Sequence, residues 1–409
     1  MPSSIEKTWI KRRAATADNS NCNNKAPESR TRNLHVRVYS PTTNARTNAN
    51  DANAPIFVRC VLVFFHGLHE HCQRFGRFFS ECNENGIAVV TFDMIGHGLS
   101  EGISSSSRKN NSNDGGELRH QIESFEKSVE DAREVVEFAK NRFLHNRPNR
   151  ETTATNSGAP PPPPPMAIVG VSLGGLFALK VTTTYPPKHF VAIALVAPAI
   201  NVKWTFQKRL WASVGELLAK ATPDASIVPA MPVELLTDDE KTSEEYKNDS
   251  LNYVGKLRAK FGNEILKAMS SLAEDDYRRL DGVCDNIFAI HAEDDQATCC
   301  YSTERVFMHH LKGIENKKFV KLTHTRGHLL LHEPGCEWTI SLVVRFVVDA
   351  AVSAAASSTF TNFKKRETDS RRRSREDFDD DEGSRNNGSA YTSERRQRQR
   401  RRRLANSRL

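Results

Sequence analysis

The residues best placed to do chemistry centre on one serine. Residues 170–174 read Gly-Val-Ser-Leu-Gly, directly after a short apolar run and before a stretch of helical character. This spacing predicts that Ser172 lies on a sharp turn from strand to helix, where its hydroxyl can attack a carbonyl carbon. The helix N-terminus there favours a developing negative charge. The alternative is a turn without chemistry, and the flanking strand and helix favour the nucleophile.

A serine hydroxyl needs a histidine base that is oriented by a carboxylate. Both follow the later apolar runs, in the chain order serine, acid, histidine. Asp294 and Asp295 are adjacent, and only one can reach the imidazole because successive side chains of an extended segment point to opposite faces. The base is one of three histidines. These are His324, which lies almost on the preceding strand, His328, and His332, which is expected at the entry to the last helix.

The reaction also needs two backbone N–H donors for the oxyanion that forms on the attacked carbonyl. A His-Gly turn at 66–67 follows an apolar run and can aim one amide into the site. The candidate donors are therefore the N–H groups of Leu68 and Leu173. Losing one such donor typically costs about 3 kcal/mol of transition-state stabilisation. The glycine-rich loop 92–102 is predicted to support the nucleophile turn.

The elements that must position these residues follow from apolar patterning. Strands that alternate with helices predict an α/β fold, with a mostly parallel sheet and helices on both faces. The predicted strands cover 34–39, 61–65, 87–92, 167–170, 191–196, 287–290 and 319–322. The predicted helices cover 117–143, 173–184 and 338–354, with a short one within 73–85. Residues 201–284 show only helical patterns, which indicates a helical cap inserted before the last strands.

Composition divides the 409 residues into one domain and its additions. Residues 1–30 are rich in Asn, Ala and Ser and are predicted to be a disordered leader. Residues 31–355 form the domain. It carries a Pro-rich insertion at 146–165, interpreted as an extended spacer rather than a ligand for proline-binding modules. Residues 356–409 are predicted to be a disordered, Arg-rich tail.

Almost all of the formal charge of +8 lies in that tail. From Lys364 onward the chain has sixteen Lys and Arg against nine Asp and Glu, so the domain itself is close to neutral. We therefore expect no nucleic acid on the folded domain. The arginine run 400–403 has three alternative interpretations: a nuclear signal, a transient contact with an anionic membrane surface, or a nonspecific RNA contact.

Several classes of protein are disfavoured by missing signals. No phosphate-binding loop and no metal-ligand spacing is visible, so we expect neither a cofactor nor a metal. The eight cysteines show no disulfide framework. No signal peptide and no transmembrane segment is predicted, because the longest uncharged apolar run, 190–200, is too short for a bilayer. A soluble, reduced, intracellular protein is expected.

Together these motifs resemble the α/β-hydrolase superfamily and, more closely, monoacylglycerol lipases and their lysophospholipase-like relatives. The resemblance rests on HGLHEHCQRF (66–75), FDMIGHGLSEG (92–102), GVSLGG (170–175), HAEDD (291–295), GHLLLHEPG (327–335) and the cap segment 248–269. It implies Ser172 as nucleophile, Asp295 as acid and His328 as base, with the Leu68 and Leu173 amides as oxyanion donors. The implied reaction is hydrolysis of a lipid monoester, a monoacylglycerol or lysophospholipid, through an acyl-enzyme.

Two departures from the family pattern are visible. His69 stands where the family usually has Gly, and Val171 stands where a His or Glu usually precedes the serine. Both bear on the acyl or alcohol preference. Another carboxylesterase, a thioesterase or an acyltransferase would keep the same triad, and a non-catalytic binding module on this scaffold is the alternative outside enzymes.

The acyl site and the cellular location are the remaining predictions. Trp204, Trp211 and Leu218 of the cap are predicted to line an acyl tunnel or touch a lipid surface, the alternative being that they pack the cap onto the domain. The chain ends in Ser407-Arg408-Leu409, which resembles the C-terminal Ser-Lys-Leu peroxisome address. It implies a peroxisomal import receptor as a partner, and we weigh peroxisome and cytoplasm equally.

Overall fold

The strands divide into one large sheet and two short ribbons. The computed structural model describes residues 4–11, 33–42, 58–104, 117–145, 163–203, 206–272, 277–280, 282–323 and 327–357. Within them the strands are β1 (Ser4–Lys11), β2 (Asn33–Ser40), β3 (Cys60–Phe65), β4 (Ile87–Phe92), β5 (Ile103–Ser104), β6 (Glu117–Leu118), β7 (Met166–Val171), β8 (Ala192–Val196), β9 (Ser226–Val228), β10 (Leu257–Arg258), β11 (Asn286–Ala292) and β12 (Asn316–Leu322). The α-helices are α1 (Gly76–Glu84), α2 (Phe125–Lys140), α3 (Leu173–Thr182), α4 (Phe206–Ala221), α5 (Glu240–Asn248), α6 (Ala259–Ser271), α7 (Tyr277–Leu280), α8 (Cys300–Arg305) and α9 (Cys336–Ser357).

The large sheet has the strand order β1-β2-β4-β3-β7-β8-β11-β12. The six strands from β4 to β12 run parallel, whereas β1 and β2 pair antiparallel. Neighbouring parallel strands need crossover connections, and α1 and α3 supply two of them. The carboxyl ends of β3, β7, β11 and β12 therefore lie at one edge of the sheet. This is the edge that the predicted site residues follow.

The alternation of side chains along β7 shows how one sheet builds two cores. Ile168 lies in the core with residues of α2 and α3, and Val169 lies in the opposite core with residues of α1 and α9. Every residue of β7 is buried, which explains why it reads as a continuous apolar run. This mostly parallel sheet with helices on both faces confirms the predicted fold class.

Helix α9 is long and apolar. It has 22 residues and a mean hydropathy of 1.7, so by length and composition alone it could cross a membrane. Ile340, Val343 and Val347 of this helix are buried in the core against the sheet. Its apolar face is therefore used in packing the domain.

The structure corrects the prediction of a disordered leader for Ser4–Lys11. These residues form β1, which pairs along its whole length with β2, from Ser4 opposite Ser40 to Lys11 opposite Asn33. The composition of the first thirty residues gave no sign of this strand. Its hydrogen-bonding partner, β2, lies beyond those residues in the chain. Residues 12–32, most of the Pro-rich insertion and the tail from 358, including Ser407-Arg408-Leu409, lie outside the described residues.

Two further elements differ from prediction. The predicted helix 117–143 begins only at Phe125, because the Ser124 hydroxyl caps α2 by accepting a hydrogen bond from the Lys127 amide at 3.2 Å. The cap is not purely helical, since β9 and β10 form an antiparallel ribbon within it. Strands of two and three residues are too short to show a period-two pattern in the sequence.

Candidate active site

The turn between β7 and α3 holds Ser172 in a strained conformation. Its backbone has φ 50° and ψ −118°, which residues other than glycine rarely adopt. Two glycines make the turn possible. A Cβ at Gly170 would lie 2.2 Å from the Gly174 carbonyl oxygen, and a Cβ at Gly174 would lie 2.1 Å from the Phe65 carbonyl oxygen. The predicted strand-to-helix turn at the serine is confirmed.

Asp295 and His328 meet where β11 and β12 end. The Nδ1 atom of His328 lies 2.7 Å from the Oδ2 atom of Asp295, and both side chains are buried. Asp294 is exposed. The two adjacent aspartates thus point to opposite sides, and Asp295 is the one that contacts the imidazole.

The other two candidate histidines do not share this position. His332 packs its ring against Phe75, with the ring centroids 4.8 Å apart. Burial lowers the pKa of His332 to about 3, which keeps this side chain neutral. His324 lies outside the described residues.

Several groups that the sequence analysis did not assign hold the Asp295 carboxylate. Its Oδ1 atom accepts hydrogen bonds from the amides of Ala297 at 2.7 Å and Thr298 at 3.1 Å, and the Thr298 hydroxyl donates to Oδ2 at 2.9 Å. The Nε2 atom of His291 lies 3.2 Å from the same Oδ2. The sequence offered one sign of these contacts: an aspartate in a turn commonly accepts hydrogen bonds from backbone groups two residues further on.

The electrostatics of the pair favour a protonated imidazole beside a carboxylate. Burial by itself raises the pKa of Asp295, but His328 and His291 outweigh it and hold the pKa well below its usual range. Burial by itself lowers the pKa of His328, but attraction to Asp295, with further help from Glu70 and Glu333, raises this pKa above 6.5. A general base needs this environment once it has accepted a proton.

Residues 66–72, which we call the oxyanion turn, follow β3 and are supported by the glycine-rich loop. The Met94 amide donates to the Nε2 atom of His66 at 2.9 Å, and the Asp93 carboxylate accepts from the Cys72 amide at 2.8 Å. The sequence analysis predicted that this loop supports the nucleophile turn. Among the described residues these hydrogen bonds join the loop to the oxyanion turn instead, because the loop follows β4, which lies beside β3 in the sheet.

Glu70 is a buried carboxylate inside the oxyanion turn. Its Oε1 atom accepts from the Gly67 amide at 2.7 Å, and its Oε2 atom lies 3.5 Å from the Nε atom of Arg74. Burial raises the pKa of Glu70, although Arg74 and the Gly67 amide act in the opposite direction. A Cβ at Gly67 would lie within contact distance of Glu70 Oε1 and 3.3 Å from the Ser172 Cβ, so any side chain here would have to displace the Glu70 carboxylate.

The two predicted oxyanion donors lie beside Ser172. Leu68 follows Gly67 in the oxyanion turn, and no hydrogen bond from its amide is found in the described part of the chain. Leu173 is the first residue of α3, and the first amides of a helix have no acceptor within it. Both residues line a cavity that Ser172 also lines. Their amides are therefore available to a ligand oxygen.

Two cavities meet at Ser172. The larger has a volume of about 400 Å³ and lies between the domain and the cap, with apolar lining residues such as Val228, Leu266 and Met269. The smaller has a volume of about 90 Å³, and its lining includes His328 and Glu70 beside apolar residues such as Val233 and Leu236. Both Ser172 and His328 line the smaller cavity, but no hydrogen bond joins the serine hydroxyl to the imidazole in the described part of the chain. In enzymes without substrate such a bond is often long, and it tightens only when substrate is bound.

The predicted acyl-site residues are only partly placed by the structure. Trp204 lies outside the described residues, and so does the side chain of Trp211 on α4. Leu218 on α4 is half-buried and is not among the lining residues of either cavity, so its role stays a prediction. Helix α4 reaches the larger cavity through Gly215.

One group of side chains has the composition of a metal site. Ligand atoms of His35, Cys72 and Asp93 lie within 4.8 Å of one another. The Asp93 carboxylate already accepts from the amides of Cys72 and Leu99, and His35 Nδ1 lies 3.1 Å from it. These contacts tie β2 and the glycine-rich loop to the oxyanion turn, which gives the cluster a structural role.

The sheet order and the strained serine after β7 define the class: the chain has the α/β-hydrolase fold. A family model described as "Serine aminopeptidase, S33" (Hydrolase_4) matches residues 57–335, and the chain belongs to this family. An uncharacterized abhydrolase domain-containing protein of Dictyostelium discoideum is 24% identical over 305 residues. The match covers 74% of this chain, which spans 27% of the length of that curated relative.

Solved structures show the same fold. The monoacylglycerol lipase of Paleococcus ferrophilus has a TM-score of 0.56 at 19% identity, covering 78% of this chain and 99% of that one. A soluble variant of monoglyceride lipase from Saccharomyces cerevisiae, with a substrate analogue, has a TM-score of 0.59 at 15% identity, covering 78% and 92%. The expected membership of the α/β-hydrolase superfamily is confirmed.

Proposed function

We propose that the protein hydrolyses a carboxylic ester of a lipid monoester, a monoacylglycerol or lysophospholipid, through a triad of Ser172, His328 and Asp295. The observation that carries the proposal is the meeting of a large and a small cavity at Ser172. An apolar cavity of about 400 Å³ suits an acyl chain, and a cavity of about 90 Å³ beside His328 suits a small polar alcohol. An ester placed across both would bring its carbonyl carbon to the serine.

In the proposed mechanism the Nε2 atom of His328 takes the hydroxyl proton as the Ser172 oxygen bonds to the ester carbonyl carbon. Asp295 fixes the tautomer by accepting from Nδ1 and stabilises the imidazolium. The Leu68 and Leu173 amides bind the oxyanion. Collapse of the tetrahedral intermediate breaks the bond to the alcohol, which leaves with the proton from His328. Water, activated by the same imidazole, then releases the fatty acid and restores the serine.

The family description names an aminopeptidase, and Glu70 is the group that could bind a peptide's amino terminus. This carboxylate lies in the smaller cavity, but it already accepts from the Gly67 amide and lies 3.5 Å from Arg74. The positive charge of Arg74 beside this carboxylate weakens its attraction for a second cation such as an ammonium group. The geometry therefore favours the ester of a neutral or zwitterionic alcohol over an aminoacyl substrate.

The pH profile of kcat/KM is expected to have an acid limb with its midpoint above pH 6.5. Only the neutral imidazole accepts a proton, and the pKa of His328 is raised above 6.5 by Asp295. Activity is therefore present above this pKa and falls as the pH drops through it. The measurement is kcat/KM for p-nitrophenyl butyrate across the acid and neutral range. A midpoint at or below 6.5 contradicts the assignment of His328 and Asp295.

Chain-length selectivity is expected to depend on Gly215, which lines the apolar cavity from α4. A Cβ at this position would meet only Asn263 Oδ1 at 3.6 Å, so there is room for a side chain that projects into the cavity. Gly215→Leu should lower kcat/KM for long-chain monoacylglycerols about tenfold, because each methylene that loses its burial costs about 0.8 kcal/mol. Short-chain esters should be unaffected.

The experiment is a hydrolysis panel of monoacylglycerols of increasing chain length, lysophospholipids, acyl-CoA, short esters and an aminoacyl amide. Gly215→Ala is the matched control, since it adds one methyl group and should keep the long-chain preference. A preference for the aminoacyl amide or acyl-CoA in the unmodified protein contradicts the proposed substrate class. An equal loss for short and long chains in Gly215→Leu contradicts the placement of the acyl chain.

A further inference from the structure

The cap contacts the loops of the candidate site on both sides of Ser172. On the side of the base, the carbonyl oxygen of Leu236 accepts from the His328 amide at 2.7 Å. Leu329, the next residue, is buried in an apolar cluster with Val233 and Tyr246 of the cap. The position of the imidazole is therefore tied to the cap as well as to Asp295.

On the other side the cap holds the oxyanion turn through the carbonyl oxygen of His69. This oxygen accepts from the Tyr253 amide at 2.9 Å and from the Tyr246 hydroxyl at 3.3 Å. Next to it, the Nε2 atom of His71 lies 2.8 Å from the Oδ2 atom of Asp249. Tyr246, Asp249 and Tyr253 belong to one segment, from the end of α5 into the loop that follows it.

The backbone of His69 explains why such support is needed. Its φ of 64° lies in the left-handed region, where a residue with a Cβ is strained and glycine is not. The surroundings must therefore keep His69 in a conformation that it would leave if released. Its ring is buried and packs edge-on against Tyr253, with centroids 4.8 Å apart.

We propose that Tyr246, Asp249 and Tyr253 are positioning residues for the oxyanion hole: they hold His69 in its left-handed conformation and so keep the preceding Leu68 amide beside Ser172. The inference rests on the proposed hydrolase function. On this inference the cap, packed in its observed position, keeps the oxyanion hole in shape as well as lining the substrate cavity. A displaced cap leaves the serine in place but releases the oxyanion turn.

The test removes side-chain contacts of this segment. Tyr246→Phe keeps the ring under Arg74, whose guanidinium lies 4.6 Å from the ring centroid, and removes only the hydroxyl. Asp249→Ala removes the partner of His71 together with the bond that this carboxylate accepts from the Leu251 amide at 3.0 Å. The double variant should lose about tenfold to a hundredfold in kcat with KM little changed, since an oxyanion donor acts mainly in the transition state. The matched control is Lys241→Ala on α5, an exposed residue whose pairing with Glu245 is at the surface.

Rescue by glycine separates positioning from a general effect on the cap. His69→Gly adopts the left-handed conformation without strain, so the turn no longer gains by relaxing. Adding Tyr246→Phe and Asp249→Ala to His69→Gly should therefore cost at least threefold less in kcat than adding them to the unmodified protein. Equal losses in both backgrounds, or a rise in KM with kcat unchanged, overturn the inference.

A second readout keeps this inference separate from the substrate proposal. The rate at which a fluorophosphonate labels Ser172 depends on the oxyanion hole and not on the natural ester. Slower labelling in the double variant, with recovery in the His69→Gly background, supports the inference. This holds even if no lipid monoester in the panel is hydrolysed. A panel without hydrolysis would contradict only the proposed substrate. Unchanged labelling rates in the double variant, or no labelling of the unmodified protein, overturn the inference.

Discussion

Ser172→Ala is expected to lower kcat by about five orders of magnitude or more, with KM little changed. Removing the nucleophile of a serine triad typically costs as much as removing the whole triad, because the remaining members have nothing to activate. The Leu68 and Leu173 amides and the cavities remain, so a small residual rate over water is expected. The measurement is kcat on the best ester of the panel.

Folding must be shown to survive this replacement. Alanine has the same Cβ as serine and meets the same backbone constraint at φ 50°, so the thermal unfolding midpoint should stay close to that of the unmodified protein. A fluorophosphonate should label the unmodified protein at Ser172 and fail to label the variant. Full ester hydrolysis by a folded Ser172→Ala protein would refute the catalytic assignment.

Asp295→Asn is expected to lower kcat by about four orders of magnitude. The carboxylate accepts from Nδ1 of His328 at 2.7 Å and so leaves Nε2 free as the base. An asparagine that presents its amide N–H to Nδ1 would reverse this tautomer and place the proton on the wrong nitrogen. The imidazolium formed during attack would also lose its counter-charge. The measurement is kcat across pH, where the loss should persist above the acid limb.

The neighbouring aspartate provides the control for this prediction. Asp294 is exposed and is adjacent in sequence, so Asp294→Asn makes the same chemical change without touching the imidazole. We expect near-unmodified activity for it. A loss in Asp294→Asn that equals the loss in Asp295→Asn would mean that the acid has been misassigned.

Much of the fold could be predicted because a buried parallel strand can be recognised from its own residues. The predicted strand 87–92 is β4 without change, and the predicted strand 61–65 differs from β3 only at Cys60. Such strands are covered on both faces and become continuous apolar runs. The short ribbon of β9 and β10 has no such run, so the cap seemed wholly helical from its sequence.

The candidate site could likewise be predicted only in part. The types and chain order of Ser172, the aspartates and the histidines could be predicted, because each follows an apolar run that ends at the same edge of the sheet. The residues themselves left Asp294 and Asp295 as alternatives, and the resemblance to a family was needed to choose. In the structure the choice is explained by burial and by the contact of Asp295 with His328, which lies 33 residues further along the chain.

The sequence alone was enough to predict an α/β fold with a serine in a strand-to-helix turn, since both follow from local apolar patterns and from glycines that a tight turn requires. The hydrolase family was implied by the resemblance of its motifs. Only the folded protein reveals that Ser4–Lys11 complete the sheet, that helix α4 reaches the larger cavity at Gly215, and that the cap is hydrogen-bonded to the backbones of His69 and His328. Each of these depends on groups far apart in the chain. Hydrogen bonds and packing between such segments leave no period in the sequence, because they are fixed by how the finished elements meet.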